Sequence, residues 1–346
     1  MYGHLLHEYG IDQRCIQRIL RERDDVMISR TGIMNFFDGL NSRLSLEERL
    51  TIGMTLLLDL LILVFMRLEQ AGDIFALNVL IIACILVVNL AHRRFPDPRL
   101  QFFRDWYVLP LLIVIYLENR RLIPLINPHD MDDILIAIDR FLFLGHDPTI
   151  LLERLTHPLV SEVLQMAYAS FYFLPLTLCL ILYIRKPRIE FHINASTILM
   201  GFYLSYIGYY FTPVIGPRFT LEHLQNSPLS GVLLFDFVRN LITQAEGIMR
   251  DCCPSGHAMI SLLTVLLAWR YARGFFGVAC IWAFLITFST VYLRYHYVTD
   301  LIVGMALGLA VYHWGPGIAE AIIVGDKYPA DSFGMIPCRE KESPSG

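Results

Sequence analysis

Two short stretches in the last third of the chain hold residues that strongly apolar sequence seldom carries. Cys253-Pro254-Ser255-Gly256-His257 opens one hydrophobic run, and Arg294-Tyr295-His296-Tyr297-Val298-Thr299-Asp300 opens another. In the first, Pro254 has a fixed φ suited to a helix start, and Ser255 is a residue type that caps one. The backbone N–H groups of Ser255, Gly256 and His257 would then point outward with the helix dipole behind them, which makes an anion site. Gly256 lets an anion approach the backbone closely, and His257 supplies a proton donor at the same place. In the second stretch, His296 and Asp300 are four residues apart, so a helix puts them on one face. A carboxylate that accepts from one imidazole nitrogen fixes the tautomer and leaves the other nitrogen free as nucleophile or base. Arg218, in Thr212-Pro213-Val214-Ile215-Gly216-Pro217-Arg218-Phe219, offers a guanidinium fork that matches phosphate oxygens. Each feature has a plainer reading: a capped helix, a polar pair steadying a helix end, a snorkelling arginine. Ionisable groups at membrane depth are functional by default, and two such motifs at matching helix ends point to one phosphate-handling site.

The elements that must position these residues are membrane helices. Of 346 residues 55% are hydrophobic and only 17% charged, and the mean hydropathy is +0.51. A soluble domain usually has roughly 45–50% apolar and about 25% charged residues. The expected fold class is therefore all-α, a polytopic membrane helical bundle. Apolar segments fall near 50–66, 73–92, 105–117, 163–184, 193–212, 256–271, 275–293 and 297–313. At about 20 residues per crossing these read as about eight transmembrane helices, the third short. The organisation that follows is a cytoplasmic segment over 1–45, helices over 46–118, a catalytic membrane domain with outer surface helices over 119–325, and a flexible tail over 326–346. A net charge of −4 leaves no basic field for nucleic acid. The seven cysteines are scattered, with no disulfide framework or zinc spacing, so no metal is assigned. The N-terminus lacks the pattern of a cleaved signal peptide.

Loop charge sets the expected orientation. Arg93, Arg94, Arg99 and Arg104, then Arg185, Lys186 and Arg188, then Arg270 and Arg273 all fall on one side, with the arginine-rich N-terminus. By the positive-inside rule that side is cytoplasmic, and Arg120 and Arg121 are a mild exception. Both termini then lie inside (of the inner membrane, if the cell is bacterial). Arg218, His257 and His296 all reach the outer, periplasmic or lumenal, face. Between 119 and 160 the sequence is too polar to span. Asp132, Asp133, Asp139 and Arg140 interleave with Ile134, Leu135, Ile138, Phe141 and Leu142 at helical spacing, as in an amphipathic helix lying on the membrane surface. The long loop 213–254 has room for a second such helix over Val232–Ile248.

These residues resemble the type 2 phosphatidic acid phosphatase superfamily, whose pattern runs Lys-x6-Arg-Pro, then Pro-Ser-Gly-His, then Ser-Arg-x5-His-x3-Asp. The resemblance covers roughly 160–313. Pro254–His257 completes the second part, and Ser289, His296 and Asp300 match the third, but Thr290 holds the arginine position. Arg218 matches the first part, while Phe211 and Phe219 stand where lysine and proline are expected. Two cationic phosphate ligands are thus missing. These departures resemble the branch that contains inositol phosphorylceramide synthases, as do FLFLGHDPT at 141–149 and AYASFYFLPL at 167–176. The resemblance implies a six-helix core and metal- and cofactor-independent chemistry through a phosphohistidine. It implies that His296 attacks phosphorus, Asp300 orients it, and His257 protonates the leaving oxygen. Arg218 with the amides of Ser255 and Gly256 would hold the phosphate, and Arg294 would stand in for the missing arginine. The substrate implied is a membrane lipid phosphate, with an alcohol or water as acceptor. A transporter with polar groups along several spans, Asp59 among them, and a non-catalytic lipid-binding scaffold stay open as other classes.

Overall fold

Helices form wherever the sequence is apolar over a turn or more, and their ends fall where a cap or proline dictates. The computed structural model describes residues 44–65, 68–246 and 250–327. The expected cytoplasmic segment over 1–45 and the tail over 326–346 lie outside the described residues, apart from Leu44 and Ser45 and from Asp326 and Lys327, which end the last helix. In chain order the helices are α1 (Leu46–Phe65), α2 (Leu68–Arg94), α3 (Pro98–Trp106), α4 (Val108–Ile126), α5 (Asp132–Leu142), α6 (Pro158–Ala169), α7 (Phe173–Arg185), α8 (Arg188–Phe211), α9 (Phe235–Glu246), α10 (Gly256–Tyr271), α11 (Arg273–Tyr292) and α12 (Val298–Lys327). Single turns at Pro148–Leu151 and Pro217–Thr220 fill the connections. Among the described residues there is no strand, and the fold is an all-α polytopic bundle.

Each of the eight apolar segments is helical, but not every one qualifies as a membrane span by itself. Four runs are long and apolar enough to cross a bilayer: Gln70–Arg94, Pro98–Ile126, Arg273–Tyr292 and Val298–Asp326; a bent pair makes a possible fifth. The third segment is longer than its apolar stretch, because α3 continues into α4 after Tyr107. The fourth, expected as one helix, is α6 and α7 bent by 50°. Pro175 explains the break: it has no N–H to give the Phe171 carbonyl, and its ring would clash there in a continuous helix. α8 is long enough but mixed in composition, because its buried face carries Asn194, Ser196, Thr197 and Ser205. α10 is apolar but only 16 residues long. Both are enclosed by other helices, and α8, α10 and α12 pack on one another at the centre.

One end of the bundle gathers the charged loops. Arg104 forks onto the buried Glu48 at 2.8–2.9 Å, and Arg188 reaches Asp105 at 2.6 Å. His192 lies 3.1 Å from Glu47, and Arg49 pairs with Asp326. The other end carries the polar stretches at the ends of α8, α10 and α12, capped by α5 and α9. α5 is the surface helix read from its apolar and acidic alternation, with Ile134, Ile138 and Phe141 exposed. Its acids do more than face water. Asp132 accepts from the N–H groups of Ile215 and Gly216 at 3.0 and 2.9 Å, and Asp139 from those of Val298 and Thr299 at 2.9 and 2.8 Å. α5 therefore fixes both the loop before Arg218 and the N-terminus of α12.

Candidate active site

A cavity with about 810 Å³ of empty space, mouth included, opens at the end where α8, α10 and α12 meet. His257, His296, Gly256 and Arg218 line it, together with a wall of aromatic rings. Ser255 is the N-cap of α10, its hydroxyl accepting from the Ala258 N–H at 3.3 Å. Pro254 lies one residue before the cap rather than inside the first turn. The Ser255 N–H is not free for an anion: it donates to the Asp300 backbone carbonyl at 3.1 Å. That bond stitches the start of α10 to the start of α12. The open amides are those of Gly256 and His257, the first two helical residues, which have no intrahelical acceptor.

His296 sits just before α12, where two contacts define its geometry. Its Nδ1 lies 3.3 Å from Asp300 Oδ2, and its Nε2 lies 3.4 Å from His257 Nδ1. The same Asp300 oxygen accepts from the Tyr297 N–H at 3.0 Å, while Oδ1 is buried without a partner. Burial presses the His296 imidazole toward its neutral form. The Asp300 carboxylate outweighs this, with help from Asp251, and the pKa is held above the ordinary histidine value. Nε2 is the nitrogen left for a substrate, and it faces the second histidine. Tyr168 stacks on His257 at 4.5 Å between ring centroids, and Phe171 lies at 4.3 Å. Both flank the break between α6 and α7, so the bend is what delivers the rings.

Arg218 stands half-buried at the mouth, its Nη2 donating to Thr243 Oγ1 at 3.1 Å and its guanidinium 5.6 Å from the Tyr295 ring. Arg294 goes elsewhere. α11 ends in a Schellman turn, with Tyr295 N–H on Thr290 O and Arg294 N–H on Val291 O, and Arg294 takes the left-handed position at φ 67°. Its side chain is held by Gln225 Oε1, the Ser227 carbonyl and Glu153 at 2.6–3.0 Å. It does not line the cavity. Thr290 matters through its carbonyl, which accepts from both Tyr295 and His296. Phe211, at the expected lysine position, is exposed on the outside of α8.

Several cavity residues carry no local signal in the sequence. Asp251 lines the wall and accepts from Tyr116 Oη at 2.5 Å, a bond between a loop and α4 across more than a hundred residues. Burial raises its pKa, against the opposing pull of Tyr116 and His296. Among the described residues one trio could offer metal-ligand atoms together: Cys252, His296 and Asp300, within 4.8 Å of one another. Burial first, then the charges of Asp251 and Asp300, push the Cys252 pKa well up. The thiol keeps its proton and contacts the carbonyls of Ile215 and Tyr295 at 3.3 and 3.4 Å.

An α-helical membrane bundle with two facing histidines, an oriented aspartate and an arginine at one cavity defines a phosphatase-type membrane protein. Residues 133–314, more than half of the chain, match the family model described as the PAP2 superfamily, and the chain belongs to that superfamily. A 106-residue stretch is 30% identical to a PA-phosphatase related-family protein of Dictyostelium discoideum, covering 30% of this chain and 19% of that relative's length. No solved structure matches the chain.

Proposed function

We propose that this protein cleaves and transfers phosphate esters of membrane lipids through a phosphohistidine on His296. The observation that carries the reading is the line Asp300–His296–His257, with spacings of 3.3 and 3.4 Å, on a cavity that Arg218 also lines. His296 Nε2 attacks phosphorus; the N–P bond forms as the ester P–O bond breaks, and the departing oxygen takes a proton from His257. In the second half, a hydroxyl gives its proton to His257, its oxygen bonds phosphorus and the N–P bond breaks. Arg218 and the amides of Gly256 and His257 hold the equatorial oxygens, where transition-state charge spreads. The acceptor in this reading is an alcohol, as in the branch containing inositol phosphorylceramide synthases. The hydroxyls of Tyr172, Tyr206, Tyr209 and Ser205 around the cavity support an alcohol acceptor, which they could orient by hydrogen bonds. Hydrolysis is the same phosphoenzyme meeting water. The cavity opens to the outer face, on the positive-inside argument.

The test is a panel of lipid phosphates with purified protein, with and without alcohol acceptors, read by mass spectrometry. Rapid quench with a labelled donor is expected to leave an acid-labile, alkali-stable phosphate on wild type and none on His296→Ala. Activity of that variant is expected to fall by about 10³-fold or more. Turnover at the wild-type rate by His296→Ala would remove the mechanism.

A further inference from the structure

A second cavity lies at the end of the bundle opposite the histidines. It holds about 1010 Å³ of empty space, mouth included, where the C-terminal ends of α7 and α10 meet the start of α11. The length of α10 separates the two cavities: Gly256 lines the first and Tyr271 the second, about 22 Å apart at 1.5 Å per helical residue. Arg185, Lys186, Arg270 and Arg273 line it, and among the described residues no acid does. Loop cations that only set topology have no need to converge, yet these four share one concavity. Lys186 has Glu190 at 3.7 Å. Arg270 lies over the Tyr271 ring at 5.1 Å, and Arg273 over the Trp269 ring at 5.3 Å. Among the described residues, neither of these arginines nor Arg185 makes an ion pair. A guanidinium stacked by its face keeps its N–H edge for oxygen atoms.

Main chain adds to the charge. The N-cap of α11 is Ala272, which has no side-chain acceptor, and the Phe275 N–H donates to the Ala272 carbonyl at 2.8 Å. The amides of Arg273 and Gly274 are left without an intrahelical acceptor, at the positive end of the helix dipole. Nothing lies within 4 Å of a Cβ placed on Gly274, so an anion has room to approach this backbone. Toward the middle of the helices the lining turns apolar, at Ile181 and Phe275. The apolar strip continues along α11, where Val278 and Ile281 are exposed one and two turns beyond Gly274, and Ile184 is exposed on α7. α11 is long and apolar enough to cross a bilayer, so this strip meets acyl chains. Phosphate-binding groups that lead into such a strip match a lipid better than a soluble anion. We propose that the pocket binds the phosphate headgroup of an anionic membrane lipid. Arg185, Arg270, Arg273 and the start of α11 hold the phosphate, and an acyl chain lies along Val278 and Ile281. The site is independent of the chemistry proposed for the histidine cavity.

The probes are phosphatidylglycerol, phosphatidylcholine and inorganic phosphate, added to the detergent-solubilised full chain with melting temperature as the readout. Phosphatidylglycerol is expected to raise it, and zwitterionic phosphatidylcholine at the same mole fraction to leave it unchanged. Arg270→Gln/Arg273→Gln is expected to keep the lipid-free melting temperature and to need about tenfold or more phosphatidylglycerol for the same shift. Gly274→Leu keeps every charge but fills the space beside the open amides, and is expected to weaken the response as well. Arg93→Gln/Arg94→Gln removes two exposed cations at the same end but outside the pocket, and is expected to respond as wild type does. Every variant keeps the histidines, so lipid bound at the other cavity contributes equally to each. The site is overturned if wild type answers both lipids alike, or if the Arg93/Arg94 change costs as much response as the pocket changes. A shift by inorganic phosphate that Arg270→Gln/Arg273→Gln loses, with no greater effect of phosphatidylglycerol on wild type, overturns the lipid assignment in favour of a soluble anion.

Discussion

Asp251 is the residue whose surroundings bear most directly on the chemistry beyond the His–Asp pair. In a cavity proposed to hold phosphate, a carboxyl group opposes the substrate unless it has another task. Its position beside His296 supplies one: together with Asp300 it offsets the cost of burial and holds the imidazole pKa up. A nucleophilic Nε2 must be unprotonated, so the acid limb of kcat/KM is expected above the ordinary histidine value of about 6.5. Removing the charge of Asp251 removes one of the contributions that raise the pKa. The neutral imidazole is then populated at lower pH, and in Asp251→Asn the acid limb is expected to move downward while the neutral plateau is kept. An upward move, or no move, would mean that another group titrates there. His257, His296 and Asp300 were legible because each is a polar residue at the start of an apolar run, and four-residue spacing has one meaning on a helix. Asp251 was not, because its role comes from Tyr116 and from a fold-generated proximity that no local pattern carries. Arg294 is close to His296 in sequence, but the Schellman turn carries its side chain to Glu153 instead.

At the scale of elements, the site depends on how closely α12 can approach α10. Gly304 sits against the backbone of Ser255, and a Cβ there would meet the Ser255 carbonyl, while one at Gly308 would lie 2.9 Å from the Met259 carbonyl. The neighbours are main chain, so neither contact can be relieved by a side-chain rotation. Gly304→Ala is expected to cost about 1–3 kcal/mol of stability and to displace the Ser255 cap from Asp300, lowering activity with it. Gly277→Ala on α11, where nothing lies within 4 Å, is the matched control and is expected to leave both unchanged. Melting temperature and turnover measured on the same preparations separate the two outcomes; equal tolerance at both positions would mean that α12 slides freely against α10. The surface helix α5 belongs to this scale as well. Its amphipathic pattern was readable from Ile134, Leu135, Ile138 and Phe141, but not that Asp132 and Asp139 bond the two loops flanking the cavity. Hydrophobic period reports which face is buried, whereas hydrogen-bond partners depend on tertiary placement. The break at Pro175 could have been read locally, since proline's missing donor is a property of the residue itself.

For the whole molecule, the question is which compartment the cavity opens into. The bundle has two unlike ends. One carries Arg104, Arg188, Lys186, Arg270 and Arg273 with the paired acids Glu48 and Asp105, and the other carries the cavity. This separation was visible in the sequence, because loop charge alternates with each apolar segment whatever the helix angles. Less visible was the polar group inside the bundle, where Asp59 of α1 accepts from Asn78 of α2 at 2.9 Å and Glu118 of α4 is buried close by. Those acids are expensive in a bilayer, yet α1, α2 and α4 shield them and they lie outside the cavity lining. On the positive-inside rule we propose that the cationic end lies in the cytoplasm and the cavity outside. A membrane-impermeant maleimide decides this in sealed cells. Glu222→Cys, in the exposed turn after Arg218, is expected to react from outside, whereas Lys186→Cys, exposed at the other end, is expected to react only after permeabilisation. The reverse pattern would place the histidines on the cytoplasmic face, where the lipid phosphates they meet would come from that leaflet.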